Sequence, residues 1–173
     1  MGLTSAGGAT PKELIFEKGS EANPRVEVRS VHGFKGVYAK VEIAADSVLI
    51  ELRGVISTQP DRYSIQLGEN RHLNTPAEET TGTYSDFPWK YLNHSCEPNG
   101  YVNCADLTFR ALREIGRGEE LTFNYLTTEY EMASPFECHC GSVQCFGLIR
   151  GQKYLTAEQR ERVCPGGAPR PSS

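Results

Sequence analysis

Apolar residues along this chain recur at every second position, in short runs broken by Gly, Pro and Asn. That period belongs to half-buried strands, not to helices. The pattern predicts strands over 14–16, 26–31, 36–41, 47–52 and 54–57. Residues 63–67 alternate again and pair with 72–74 across Gly68-Glu69-Asn70. Residues 101–103 and 107–112 form a hairpin around Asp106, and 120–125 reads as a late strand. Helix is confined to one turn at 89–92 and to 156–163, where Thr156 is placed to cap a run of good helix formers. Residues 75–88 read as a long, acidic loop carrying Glu78, Glu79 and Asp86. The Gly, Ser, Ala and Pro-rich residues 1–11 predict a flexible lead, and 165–173 a disordered tail. The expectation is a mainly β single domain with little helix.

Composition narrows the functional classes. The chain has 173 residues, 38% apolar and 23% charged, with a formal net charge of -4. This is the balance of a globular domain large enough to bury a core. The acidic excess argues against a protein that coats DNA, so no direct nucleic-acid partner is expected. No apolar run reaches the roughly 18 residues of a membrane span, and the first residues show neither a basic region nor an apolar run. The expectation is an intracellular protein, nuclear or cytoplasmic, not secreted and not membrane-bound.

The six cysteines then point to metal rather than disulfides. Cys138, Cys140 and Cys145 form C-x-C-x4-C within eight residues. Three free thiols in a loop is the plainer reading, but such crowding favours zinc, and three thiolates do not close its tetrahedron. His139 is badly placed between two cysteines. A distant cysteine serves better, Cys96 first, with Cys104 and Cys164 behind it.

Two further stretches carry chemistry: Asn93-His94-Ser95-Cys96-Glu97-Pro98-Asn99, and Gly118-Glu119-Glu120-Leu121-Thr122-Phe123-Asn124-Tyr125. These, followed by the cysteine cluster, resemble a SET domain with a post-SET zinc segment, of the compact stand-alone type. The resemblance spans about residues 25–155. It implies a β-clip-type fold of short strands in which 93–99 tucks under 118–125 in a pseudoknot-like crossing. The implied domain is 12–134, the zinc segment 135–155, and a short helix follows at 156–164. The implied activity is methyl transfer from S-adenosylmethionine to a protein lysine, with a histone tail as the default substrate. Tyr125 matches the catalytic tyrosine. Gly36, Val37, Tyr38, Tyr91, Asn93, His94, Tyr125 and Phe136 fall along the implied cofactor site. Cys96 matches the fourth zinc ligand, beside Cys138, Cys140 and Cys145. Tyr63, Tyr84, Tyr91, Phe123, Tyr125, Tyr130 and Phe136 are candidate walls of a lysine channel, although core packing explains most of them equally well.

Two positions depart from the family pattern. Phe34 stands where the first glycine of a Gly-x-Gly is expected before the cofactor strand. It marks either a tolerated loop variant, with Gly33 shifting the turn by one residue, or an altered pocket. In the second case the scaffold would serve small-molecule chemistry or binding. A zinc-stabilised interaction domain without catalysis is a third alternative. Asn124 replaces the more usual Asp, which keeps a local hydrogen bond and loses a charge.

Overall fold

The computed structural model of the chain describes residues 13–14, 23–76 and 86–163. The expected flexible lead, Tyr84, Cys164 and the tail lie outside the described residues, as does most of the 75–88 loop. Among the described residues there are thirteen short strands: β1 (Glu13–Leu14), β2 (Val26–Val31), β3 (Phe34–Ala39), β4 (Val48–Glu51), β5 (Val55–Ser57), β6 (Ile65–Gly68), β7 (Arg71–Asn74), β8 (Asn93–His94), β9 (Gly100–Asn103), β10 (Thr108–Ala111), β11 (Glu120–Phe123), β12 (Phe136–Glu137) and β13 (Leu148–Ile149). They make sheets of order β1-β5-β7-β6, β4-β10-β9, β2-β3-β11-β8 and β12-β13. Among the described residues the single α-helix is α1 (Ala157–Val163), and short 3-10 turns cover Pro88–Tyr91, Tyr125–Thr127 and Gln152–Tyr154.

Local chemistry sets these boundaries. The β2–β3 hairpin turns on His32 and Gly33, both at positive φ (51° and 85°), the two-residue turn that matches strand twist. β6 starts later than its alternation suggests, because Asp61 accepts from the Tyr63 amide (2.6 Å) and holds a turn ahead of it. β11 ends at Phe123 because the Asn124 carboxamide accepts from the Leu126 amide (3.0 Å) and caps the next turn. The bond expected to survive at Asn124 is therefore made. Strands 47–52 and 54–57 follow one another in the chain but enter different sheets. Gly54 permits the break, since a Cβ there would stand 2.4 Å from the Asn74 carbonyl oxygen.

Phe109, Leu121, Val37, Ala39, Leu73 and Trp89 are buried in one apolar cluster between the sheets. Trp89 keeps its indole N–H satisfied on the Arg53 carbonyl (3.0 Å). Gly100 is dictated by this packing, because a Cβ would meet the Phe109 ring at 2.1 Å. Thr156 and Gln159 exchange side-chain bonds with each other's amides (2.9 and 3.1 Å), a capping box that starts α1.

Candidate functional site

The two motif segments meet as parallel strands, Asn93 opposite Thr122 and His94 opposite Phe123. The buried Asn99 ties them together. Its amide donates to Glu119 Oε1 (2.9 Å) and the Glu120 carbonyl (2.7 Å), and its oxygen accepts from the Thr122 amide (2.9 Å). Asn93 donates to the Lys35 carbonyl (2.9 Å) and to Glu120 Oε1 (2.7 Å), joining β8 to β3 and β11. Gly36 makes room for this arrangement, because a Cβ would sit 2.4 Å from Glu120 Oε1. A hydrogen bond from Arg113 is the largest cause holding the Glu119 carboxyl down to about 2, so it stays ionised at the crossing.

The crossing delivers Tyr125. Its hydroxyl donates to the Leu92 carbonyl (2.7 Å), and its amide donates to His94 Nδ1 (3.1 Å). Its ring lies 4.8 Å from Phe123, 5.2 Å from His94 and 6.0 Å from Phe136. Burial, then the charges of Glu129 and Glu120, raise the phenol above its ordinary range, so it remains protonated. With its proton committed to Leu92, the oxygen turns acceptor lone pairs elsewhere.

His94 connects this tyrosine to the cysteines. Burial lowers its imidazole to about 4, so the ring is neutral. Nδ1 accepts from an amide, so the ring proton is assigned to Nε2, which lies 3.3 Å from Cys96 Sγ. The sulfurs of Cys96, Cys138, Cys140 and Cys145 all lie within 4.8 Å of one another. Cys96 is 3.8 Å from Cys138 and 3.9 Å from Cys145, well beyond the roughly 2.05 Å of a disulfide. A tetrahedral ion with metal–sulfur bonds of about 2.3 Å requires sulfurs about 3.8 Å apart. Amides of Phe146 and Gly147 point at Cys96 and Cys145 (3.4 Å each). Burial is the largest cause raising the thiols of Cys96 and Cys138, the latter to about 11, so a cation must displace their protons. His139 is exposed, and Cys104 lies apart from the cluster against the core.

On another side, a cavity of about 90 Å3 opens onto Tyr125, lined by Tyr63, Trp89, Leu92, Phe123 and Glu129 among others. Gly36, Tyr38, Asn93, His94 and Phe136 are not part of its wall, so Tyr125 is the member common to both groups. Tyr91 packs 6.1 Å from Tyr63, while Tyr130 is exposed. Val37 is buried in the core, which leaves only its main chain for any ligand. Phe34 is 79% exposed at the end of the hairpin, and the glycine of the turn stands at Gly33. Glu129 escaped the sequence reading. The signal was its place four residues after Tyr125, which a single turn brings back to the same face.

A mainly β domain that crosses an NHSCEPN segment with a GEELTFNY segment, and follows them with a four-cysteine cluster, is of the SET class. A family model of the SET domain matches residues 35–126, and the chain belongs to that family. It is 40% identical over 74 residues to Methyltransferase flvH of Aspergillus flavus, covering 42% of each chain. It is 29% identical over 169 residues to a Saccharomyces cerevisiae histone-lysine N-methyltransferase, H3 lysine-36 specific, covering 90% of this chain and 23% of that one. The structure of KRYPTONITE in complex with mCHG DNA and SAH aligns with TM-score 0.55 at 22% identity, over 71% of this chain and 28% of that one, and shows the fold. The matched stretch thus covers less than half the length of each of these proteins. Among the described residues no helix is long and apolar enough to cross a membrane.

Proposed function

We propose that this chain transfers a methyl group from S-adenosylmethionine to the side-chain amine of a protein lysine, with a basic peptide such as a histone tail as substrate. The observation that carries the reading is the placement of Tyr125. It borders both the cavity and the group formed by β3, β8 and Phe136, with its hydroxyl oriented by Leu92. The residues present fit the cofactor. The Glu120 carboxylate, held by Asn93 where Gly36 lacks a Cβ, offers an acceptor for a charged ammonium. The rings of Phe136 and His94 (5.7 Å apart) offer an apolar wall. When bound, S-adenosylmethionine supplies an electrophilic methyl group on a sulfonium.

The chain's own residues then align and dehydrate. Methyl transfer is an in-line displacement, so alignment is most of the catalysis. Tyr63, Trp89, Leu92 and Phe123 exclude water from the amine, and its desolvation favours the neutral form. Tyr125 Oη turns its lone pairs toward the reacting groups, where weak C–H···O contacts polarise a methyl. Cys96, Cys138, Cys140 and Cys145 would hold a structural zinc that joins the C-terminal segment to the crossing.

Phe34 supports no altered pocket, because its side chain points to solvent. A small-molecule amine as acceptor remains the second reading. The relative flvH, 40% identical over 74 residues, is named as a methyltransferase without a histone lysine and leaves room for that reading. The test is calorimetric titration of zinc-replete protein with S-adenosylmethionine, alongside Phe34→Gly, followed by methyl transfer to histone peptides and to small amines. Micromolar binding by both proteins and methylated lysine are expected. Binding only by Phe34→Gly, or by neither, would sink the reading.

A further inference from the structure

We propose that Glu129 is the group that receives the substrate ammonium in the cavity and takes its proton before methyl transfer. This rests on the methyltransferase reading above and supplies what that reading lacks. A lysine amine titrates near 10.4, so at neutral pH it arrives protonated and carries no lone pair. Tyr125 cannot accept the proton, since its hydroxyl is already protonated and donates to Leu92.

The geometry singles out Glu129 among the acids lining the cavity. Asp61 is an exposed turn residue bonded to the Tyr63 amide (2.6 Å). Glu131 is exposed and paired with Lys153 (2.9 Å) and Tyr154 (2.6 Å). Glu129 lies deep. Its amide bonds back to the Tyr125 carbonyl (2.9 Å), closing one helical turn that sets both side chains on the same face. The Gln66 amide (2.9 Å) and the Thr128 hydroxyl (3.1 Å) both donate to Oε1, so the carboxylate is held in place while Oε2 keeps its acceptor capacity. Gln66 in turn accepts from the Tyr130 amide (2.7 Å), which fixes the turn to β6.

Burial raises the Glu129 carboxyl to about 7, close to working pH, where a general base is most effective. The titratable groups around it are Tyr125, Tyr63, Cys104, Asp61, Arg62, Lys90 and Glu131. Cys104 is itself pushed up to about 11 by burial and then by Glu129, so it stays a neutral thiol.

The step balances. R–NH3+ gives one proton to the Glu129 carboxylate, leaving R–NH2 and a neutral carboxyl. The amine lone pair then forms the N–C bond as the C–S bond breaks, and the bonding pair returns to sulfur. The Glu129 proton then leaves to water. The test is Glu129→Gln, which keeps an acceptor for Gln66 and Thr128 but neither charges nor titrates. First, n-butylammonium affinity is measured at pH 8 with S-adenosylhomocysteine present, by NMR shift titration. Roughly tenfold weaker binding in the variant is expected, and equal affinity overturns the proposal. Second, kcat is followed from pH 6 to 10 with a lysine peptide that the wild type methylates. The wild type should rise through an apparent pKa near 7. The variant should lose about 100-fold at pH 7 and recover log-linearly as free amine accumulates. A loss with an unchanged pH profile assigns Glu129 a structural role and overturns the proposal. If the wild type methylates no amine, the methyltransferase reading fails, and the butylammonium result alone decides what Glu129 binds.

Discussion

Cys96→Ser isolates the cross-link between the cysteine cluster and the crossing. Cys138, Cys140 and Cys145 are local to one loop, and Cys96 alone reaches them from the other motif, 42 residues before Cys138. Treated as a cross-link over a loop of that length, the bond stabilises by about 4 kcal/mol through lost chain entropy. A domain has only about 5–15 kcal/mol in total, so the effect is large. At roughly 2–4 °C per kcal/mol for a chain of this size, Tm should fall by about 8–16 °C. The loss should also be directional. His94 Nε2 and the Phe146 amide lose their sulfur acceptor together, so the loop should open and loosen the ring on which the Tyr125 amide rests. The measurements are thermal unfolding, zinc per chain in the presence of a competing chelator, and limited proteolysis between 138 and 150. Cys104→Ser is the control, a thiol outside the cluster whose loss should leave zinc content unchanged. A Cys96→Ser protein that keeps one zinc under chelator and melts within about 2 °C of wild type would refute this account.

Tyr125→Phe should bind S-adenosylmethionine within about threefold of wild type while kcat falls about 100-fold or more, as alignment at the amine is lost. Fluorescence or calorimetric binding against single-turnover kinetics separates the two effects. Gly100→Ala drives a Cβ into the buried Phe109 ring and should cost about 1–3 kcal/mol in urea unfolding, with zinc binding unaffected. Glu129 titrates near 7 in the folded protein and near 4.3 in the unfolded chain, so between those values the folded state holds a proton that the unfolded state has lost. Stability should therefore fall as pH rises through that window, by a few kcal/mol at about 1.4 per pKa unit, and Glu129→Gln should abolish the slope. Glu119 acts in a separate window: its contribution is present above about 4.3 and is lost as pH falls toward 2.

The strands were legible because alternation survives where one face meets the core, as in β9 and β11. The cysteine cluster was legible for a different reason. Ligand chemistry tolerates few residue types, so spacing carries information even without a fold. What stayed hidden was contact across the chain. Nothing in 93–99 announces that Asn99 is buried and serves Glu119, Glu120 and Thr122 at once. Nor does Phe34 reveal its outward direction, which depends on His32 accepting a positive φ so that Gly33 can complete the turn. Strand ends were misplaced by two residues where a side chain such as Asp61 or Asn124 captured an amide that the sheet would otherwise have used.

The crossing explains how strands of two to six residues can hold a site to catalytic tolerance. Ladders this short cannot fix position by pairing alone. Here the missing constraint comes from buried and half-buried side chains bonded to main chain: Asn99 to Glu120 and Thr122, Asn93 to Lys35, and Tyr125 to Leu92. Each is satisfied, and an unsatisfied partner in that position would cost about 1–3 kcal/mol, so the register has little freedom to slip. The cysteines extend the same logic beyond the sheet. His94 accepts from Tyr125 on one nitrogen and faces Cys96 with the other, so one imidazole links the position of the C-terminal loop to Tyr125, the residue proposed above to align the reaction.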